Sequence, residues 1–172
     1  MDRPATTATR RYLILGESLF GGSLLAEALR LSGQAGVPLE YFSRRRIDAY
    51  AARIGVEPAS LTMNEYVSYL VRYRTTDNGV FVLKALPSQM KPFLLLKEPV
   101  ATFLRGFDRT LLMYRRDKLA QAVSYYKAVS SDVWNSGDRL RRRTDVKTSA
   151  LYPAHLSQTL RLLFREERDL LA

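Results

Sequence analysis

Two periodicities alternate along the chain. Tyr12-Leu13-Ile14-Leu15 and Val80-Phe81-Val82-Leu83 are short apolar runs of the kind that fill strands buried on both faces, and Thr110-Leu111-Leu112-Met113-Tyr114 reads as a third strand. Between these runs the apolar positions recur at helical spacing. Leu24, Leu25, Ala28, Leu29 and Leu31 predict a helix ending near Ser32-Gly33, and a basic helix is expected from about Arg45 to Ile54. Met63, Tyr66, Val67, Leu70, Val71 and Tyr73 form a stripe that reads as packing. Pro99 to Gly106 looks helical, Phe93 to Leu96 is too short to classify, and two further helices are expected from Asp117 to about Ser131 and from about Pro153 to Leu171. Thr76-Asp77-Asn78-Gly79 is the turn that introduces the second strand. Strands alternating with helices predict an α/β fold, a parallel sheet with flanking helices, in which ligands bind beyond the carboxyl ends of the strands. Gly16, Lys84 and Arg115-Arg116 fall at such ends.

The first strand runs into Gly16-Glu17-Ser18-Leu19-Phe20-Gly21-Gly22-Ser23-Leu24. Gly21-Gly22 lets the backbone turn where a side chain would obstruct it, and Ser23 is placed to cap the helix that follows, with backbone N–H groups pointing outward at its start. That is an anion site in outline. An ordinary strand-to-helix connection would read the same way.

Composition narrows the classes. A chain of 172 residues, close to half apolar, can bury one substantial core, so a single α/β domain is expected over 11–172 behind a loose N-terminal segment, 1–10. No apolar run approaches the roughly 20 residues of a membrane span, and Met1 to Arg11 lacks the apolar core of a signal peptide. The sequence has no cysteine, which removes disulfides and thiolate catalysis, and a single histidine, His155, makes a serine–histidine triad hard to build. A cytoplasmic protein fits best. The formal net charge of +10 implies an anionic partner. Basic clusters stand at Arg44-Arg45-Arg46, Arg115-Arg116 with Lys118, and Arg139 with Arg141-Arg142-Arg143. Nucleic acid would satisfy them through phosphate contacts, but they carry no nucleic-acid-binding signature, and a phosphorylated small molecule serves as well.

Arg115-Arg116-Asp117-Lys118-Leu119-Ala120-Gln121-Ala122-Val123-Ser124 is the second informative stretch. A guanidinium at a strand end and a serine about two turns into the next helix could hold a phosphate monoester between them. Alternatively it is a helix start with Asp117 as its dipole-favourable residue. The run from Arg116 to Ser124, with Pro38-Leu39-Glu40-Tyr41-Phe42 and Gly79-Val80-Phe81-Val82-Leu83-Lys84 before it and Val133-Trp134 after it, resembles the bacterial Stf-type sulfotransferases over about Tyr12 to Trp134, in the same order.

The resemblance implies a nucleotide-kinase-like fold and transfer of a sulfuryl group from 3′-phosphoadenylyl sulfate (PAPS) to a hydroxyl of a carbohydrate, lipid-linked or other small-molecule acceptor, with no metal. It implies that Arg116 and Ser124 hold the 3′-phosphate, that Gly21, Gly22, Ser23 and Leu24 cradle the 5′-phosphosulfate, and that Glu40 is the base that takes the acceptor proton. The loop departs from the family pattern: Leu19 stands where the family has arginine, and Phe20 and Gly22 stand where it has serines. The loop therefore lacks its own cation, and Lys84 is a candidate substitute, alongside a reading as the solvated end of a strand. Glu17 and Glu40 would add negative charge close to an anionic donor. The other readings are a catalytically weakened PAPS-binding homologue and, from a different class, a basic nucleic-acid-binding protein. His155 reads as a surface or boundary residue and Trp134 as core. Arg139–Arg143 reads as a solvated basic run, and the apolar last helix could allow a homodimer.

Overall fold

The computed structural model describes residues 2–90, 100–134 and 153–171. Among the described residues three parallel strands make the sheet: β1 (Arg10–Gly16) in the centre, flanked by β2 (Val80–Ala85) and β3 (Arg109–Met113). Tyr12 lies opposite Val82 on one side and Arg109 on the other, so the carboxyl ends of all three strands open on one edge. The helices are α1 (Gly22–Ser32), α2 (Arg44–Ile54), α3 (Met63–Arg74), α4 (Val100–Arg105), α5 (Lys118–Ser131) and α6 (Pro153–Leu171). A 3-10 turn at Pro58–Ser60 separates α2 from α3. The expectation of a parallel α/β sheet with flanking helices is met. The run Phe93 to Leu96 and the basic run Arg139–Arg143 lie outside the described residues.

Strand alternation sorts the core into two layers. Leu13, Phe81, Leu83 and Ala85 face Tyr41, Phe42, Ile47, Met63, Tyr66 and Phe103, contributed by the segment after α1 and by α2, α3 and α4. Ile14 and Val82 face the other way, towards Phe20, Leu25 and Leu29. Lys84 lies two residues beyond Val82, so the same alternation turns it towards the loop and α1. A capping box starts α3: Thr62 accepts from the Glu65 N–H at 3.2 Å, and Glu65 returns the contact to the Thr62 N–H at 3.1 Å.

Three local expectations need correction. Ser23 does not cap α1: the N-cap is Gly21, in the left-handed region at φ 94, with no side-chain cap, and Ser23 sits inside the first turn. The predicted apolar stripe of α1 is half solvated, with Leu24 80% and Leu31 70% exposed, because the sheet covers only the Gly22 and Ala26 side of the helix. Trp134 is not core; its ring packs edge-on against Tyr125 at 5.9 Å and its indole N–H donates to Asp132.

Residues 2–9 have no regular secondary structure but lie along α3. Arg3 N–H donates to the Tyr73 carbonyl at 3.1 Å and Thr6 N–H to that of Arg72 at 3.0 Å. Asp2 meets Arg74 at 2.6 Å, the Tyr69 hydroxyl at 2.7 Å, and Arg53.

Candidate active site

The loop after β1 is shaped by two residues at positive φ, Leu19 at 59° and Gly21 at 94°. The Phe20 ring lies inside it. A Cβ on Gly22 would stand 2.0 Å from that ring and one on Gly16 2.7 Å, so both positions require glycine while Phe20 is in place. Because Gly21 brings no capping side chain, the first turn of α1 presents backbone N–H groups and the Ser23 hydroxyl at the carboxyl edge of the sheet.

Lys84 reaches that edge from the neighbouring strand. It is 3% exposed, so it is no solvated strand end. Its Nζ donates to Ser23 Oγ at 3.1 Å, pairs with Glu40 Oε1 at 2.6 Å and stands 5.4 Å from the centroid of the Phe20 ring. Glu40 arrives by a single parallel bridge to Lys84 on the outer side of β2, and Gln89 Nε2 donates to its second oxygen at 3.1 Å. The structure thus brings Ser23 and Glu40 to one ammonium group, although they leave the sequence in different elements. A buried ammonium needs such compensation, since desolvating an unpaired charge is expensive.

Glu17 does not add free negative charge at the loop. It is fully buried and ion-paired with Lys118, which also lies 3.3 Å from Glu167, and the Arg115 N–H donates to it at 3.3 Å. Its other oxygen, Oε2, has no hydrogen-bond partner among the described residues. Gln121, also fully buried, donates from Nε2 to the Ser18 carbonyl at 2.6 Å, while the Ser18 N–H donates to Glu166 Oε2 at 3.0 Å. These contacts fasten the β1–α1 loop to the turn after β3, to α5 and to α6. Sequence reasoning did not single out Gln121, Glu166 or this use of Lys118; the signal available was a glutamate in an otherwise apolar strand-to-loop junction, which must find a cation if buried.

Arg116 is exposed on the turn before α5, whose N-cap Asp117 accepts from the Ala120 N–H at 2.9 Å. Ser124, two turns in, donates its hydroxyl to the Ala120 carbonyl at 2.9 Å. No hydrogen bond joins Arg116 and Ser124 among the described residues; Arg116 precedes α5 and Ser124 lies within it. Leu24 projects into solvent. His155 is exposed and stacks on Tyr126 at 5.7 Å, away from these groups. A cavity of about 370 Å³ lies at the opposite, amino-terminal side of the strands, lined by Arg11, Met63, Val67, Arg72, Phe103 and Phe107 among others, and includes none of the residues above.

Among the described residues no group of three or more His, Asp or Glu side chains is placed to hold a metal ion. No helix among them is long and apolar enough to cross a membrane.

The parallel sheet, with an uncapped helix start, a buried lysine and a carboxylate at its carboxyl edge, belongs to a chain of the Stf0 sulphotransferase family, whose pattern it matches over residues 11–171. The resemblance noted in the sequence is therefore one of descent. Among curated proteins it is similar to trehalose 2-sulfotransferase from Mycobacterium tuberculosis, 28% identical over 189 residues that take in 90% of this chain and 70% of that enzyme.

Proposed function

We propose that the protein transfers a sulfuryl group from PAPS to a hydroxyl of a small-molecule acceptor, of the carbohydrate or lipid-linked kind. The observation that carries this reading is the meeting of Ser23 and Glu40 on Lys84, since in-line transfer needs an anion cradle and a base on opposite sides of one reacting centre. The residues fit such a donor. The first turn of α1 offers N–H groups, a hydroxyl and a nearby cation to the 5′ end, and Arg116 with Ser124 would hold the 3′-phosphate. When bound, PAPS supplies the sulfuryl group already attached to a good leaving group.

The chain's own work is then small. Gly21, Gly22 and Ser23 orient the 5′ end through backbone N–H groups and the Ser23 hydroxyl, whereas the Leu24 N–H expected to join them donates to the Gly21 carbonyl at 3.1 Å. Glu40 Oε accepts the acceptor proton as the acceptor oxygen attacks sulfur, and Gln89 fixes the orientation of its carboxylate.

One observation favours a second reading, a PAPS-binding homologue with weak turnover: the Phe20 ring fills the loop between Gly16 and Gly22. Transfer of radiolabelled sulfate from PAPS to a panel of sugars and lipid-linked alcohols divides the two. Transfer that disappears in Glu40→Gln supports the enzyme; tight nucleotide binding without transfer to any member of the panel supports the second reading.

A further inference from the structure

The geometry assigns Lys84 to the reaction itself: it is a catalytic residue whose charge is handed from Glu40 to the departing 5′-phosphate as the sulfuryl group moves. The inference rests on the reading of Glu40 as base and of the start of α1 as the 5′ cradle.

Three facts converge on it. First, the loop carries no cation: Leu19 and Phe20 precede Gly21, and Phe20 is turned inward. Second, Lys84 is buried, so its charge acts across low-dielectric surroundings, where it counts for far more than at an exposed position. Third, its three partners are the loop aromatic Phe20, the helix-start hydroxyl Ser23 and the carboxylate Glu40. Among the described residues it is the cation whose contacts reach both the cradle and the base. Its Nζ stands 3.1 Å from Ser23 Oγ and 2.6 Å from Glu40 Oε1.

The charge balance follows from those contacts. At rest the Glu40 carboxylate neutralises Lys84. In the transfer, the acceptor O–H bond breaks and its proton goes to Glu40, which becomes neutral. The acceptor oxygen uses its electron pair to bond sulfur, the bond from sulfur to the 5′-phosphate oxygen breaks, and that pair stays on the phosphate. Lys84 thereby loses an anion at Glu40 in the step that creates one at the phosphate. Its attraction to the reacting groups is stronger in the transition state than in the ground state, so it raises kcat more than it lowers KM.

The test is Lys84→Met, which keeps the length and apolar body of the side chain, beside Lys84→Arg, which keeps the charge. In the full chain, Lys84→Met should lower kcat for PAPS-dependent transfer by about 10²–10³-fold with a smaller change in KM, as removal of a donor to developing charge does elsewhere. Lys84→Arg should retain part of the lost rate. Calorimetric titration gives a readout independent of turnover. Lys84→Met should weaken adenosine 3′,5′-bisphosphate by about ten- to a hundredfold, the effect of losing a hydrogen bond to a charged group, and leave 3′-adenosine monophosphate unchanged. Equal weakening of both nucleotides, or a Lys84→Met enzyme with wild-type kcat, overturns the assignment. Failure of the wild type to bind either nucleotide overturns the underlying reading of the site along with it, so the two failures are distinguishable.

Discussion

Glu166, on the last helix, accepts a 3.0 Å hydrogen bond from the backbone N–H of Ser18, 148 positions earlier in the chain. The contact is buried, so the amide has no water to turn to if the carboxylate is removed. Glu166→Ala should therefore destabilise the protein by about 1–3 kcal/mol, the usual cost of stranding a buried donor. Glu166→Gln, whose amide oxygen still accepts, should lose clearly less. Urea unfolding of the two variants measures the difference.

The ion pair beside it makes a stronger prediction. Glu17 is fully buried against Lys118, and Lys118→Met would leave that carboxylate without its cation. A loss of about 3–5 kcal/mol is expected. Adding Glu17→Leu to Lys118→Met should recover most of it, because the desolvation penalty leaves with the charge. If the double variant is as unstable as Lys118→Met alone, packing rather than the stranded charge is responsible.

Loop packing is testable through two residues that exclude each other's changes. Phe20→Ala removes a buried ring and should cost about 3–5 kcal/mol. Gly22→Ala would bring a methyl group to 2.0 Å from that ring and should also destabilise. In the double variant the clash is absent, so the total should fall well short of the sum of the two single losses, as thermal or urea unfolding of all four proteins would show.

Much of the fold can be read from local pattern, and the site only in part. The strands and helices follow from runs such as Tyr12–Leu15 and the stripe on α3, because hydrophobic period is a local property. Leu24 and Leu31 misled because a period says which face is apolar but not how much of it the neighbours cover. Lys84 was ambiguous for a related reason: its burial depends on Ser23, Glu40 and Phe20, which come from other elements. The cluster around Glu17 was out of reach, since its partners lie about a hundred residues away, and only the folded sheet edge brings them together.

Acid sensitivity should centre partly on Asp2. Burial raises its carboxyl, but hydrogen bonds from Arg53 and Tyr69 and the charges of Arg74 and Arg53 outweigh that and hold it below the ordinary value of 3.8. The same surroundings push the Tyr69 hydroxyl up to about 12, burial first and the bond to Asp2 second. A carboxyl depressed on folding contributes stability that is fully present above its unfolded-state value and is lost as pH falls through the folded-state value. Wild-type stability should decline on acidification below about pH 4, and Asp2→Asn should show a shallower decline from a lower starting point. Identical slopes for the two proteins would contradict this role.

The central claim is that the loop before α1 and the segment from Arg116, on the turn before α5, to Ser124, inside α5, form one nucleotide site. Calorimetric titration of adenosine 3′,5′-bisphosphate into the wild type and Arg116→Ala tests it most directly, because it needs no knowledge of the acceptor. Binding in the micromolar range, weakened at least about tenfold in Arg116→Ala, is the predicted result. Absence of binding to the wild type, or equal affinity in the two proteins, would contradict it.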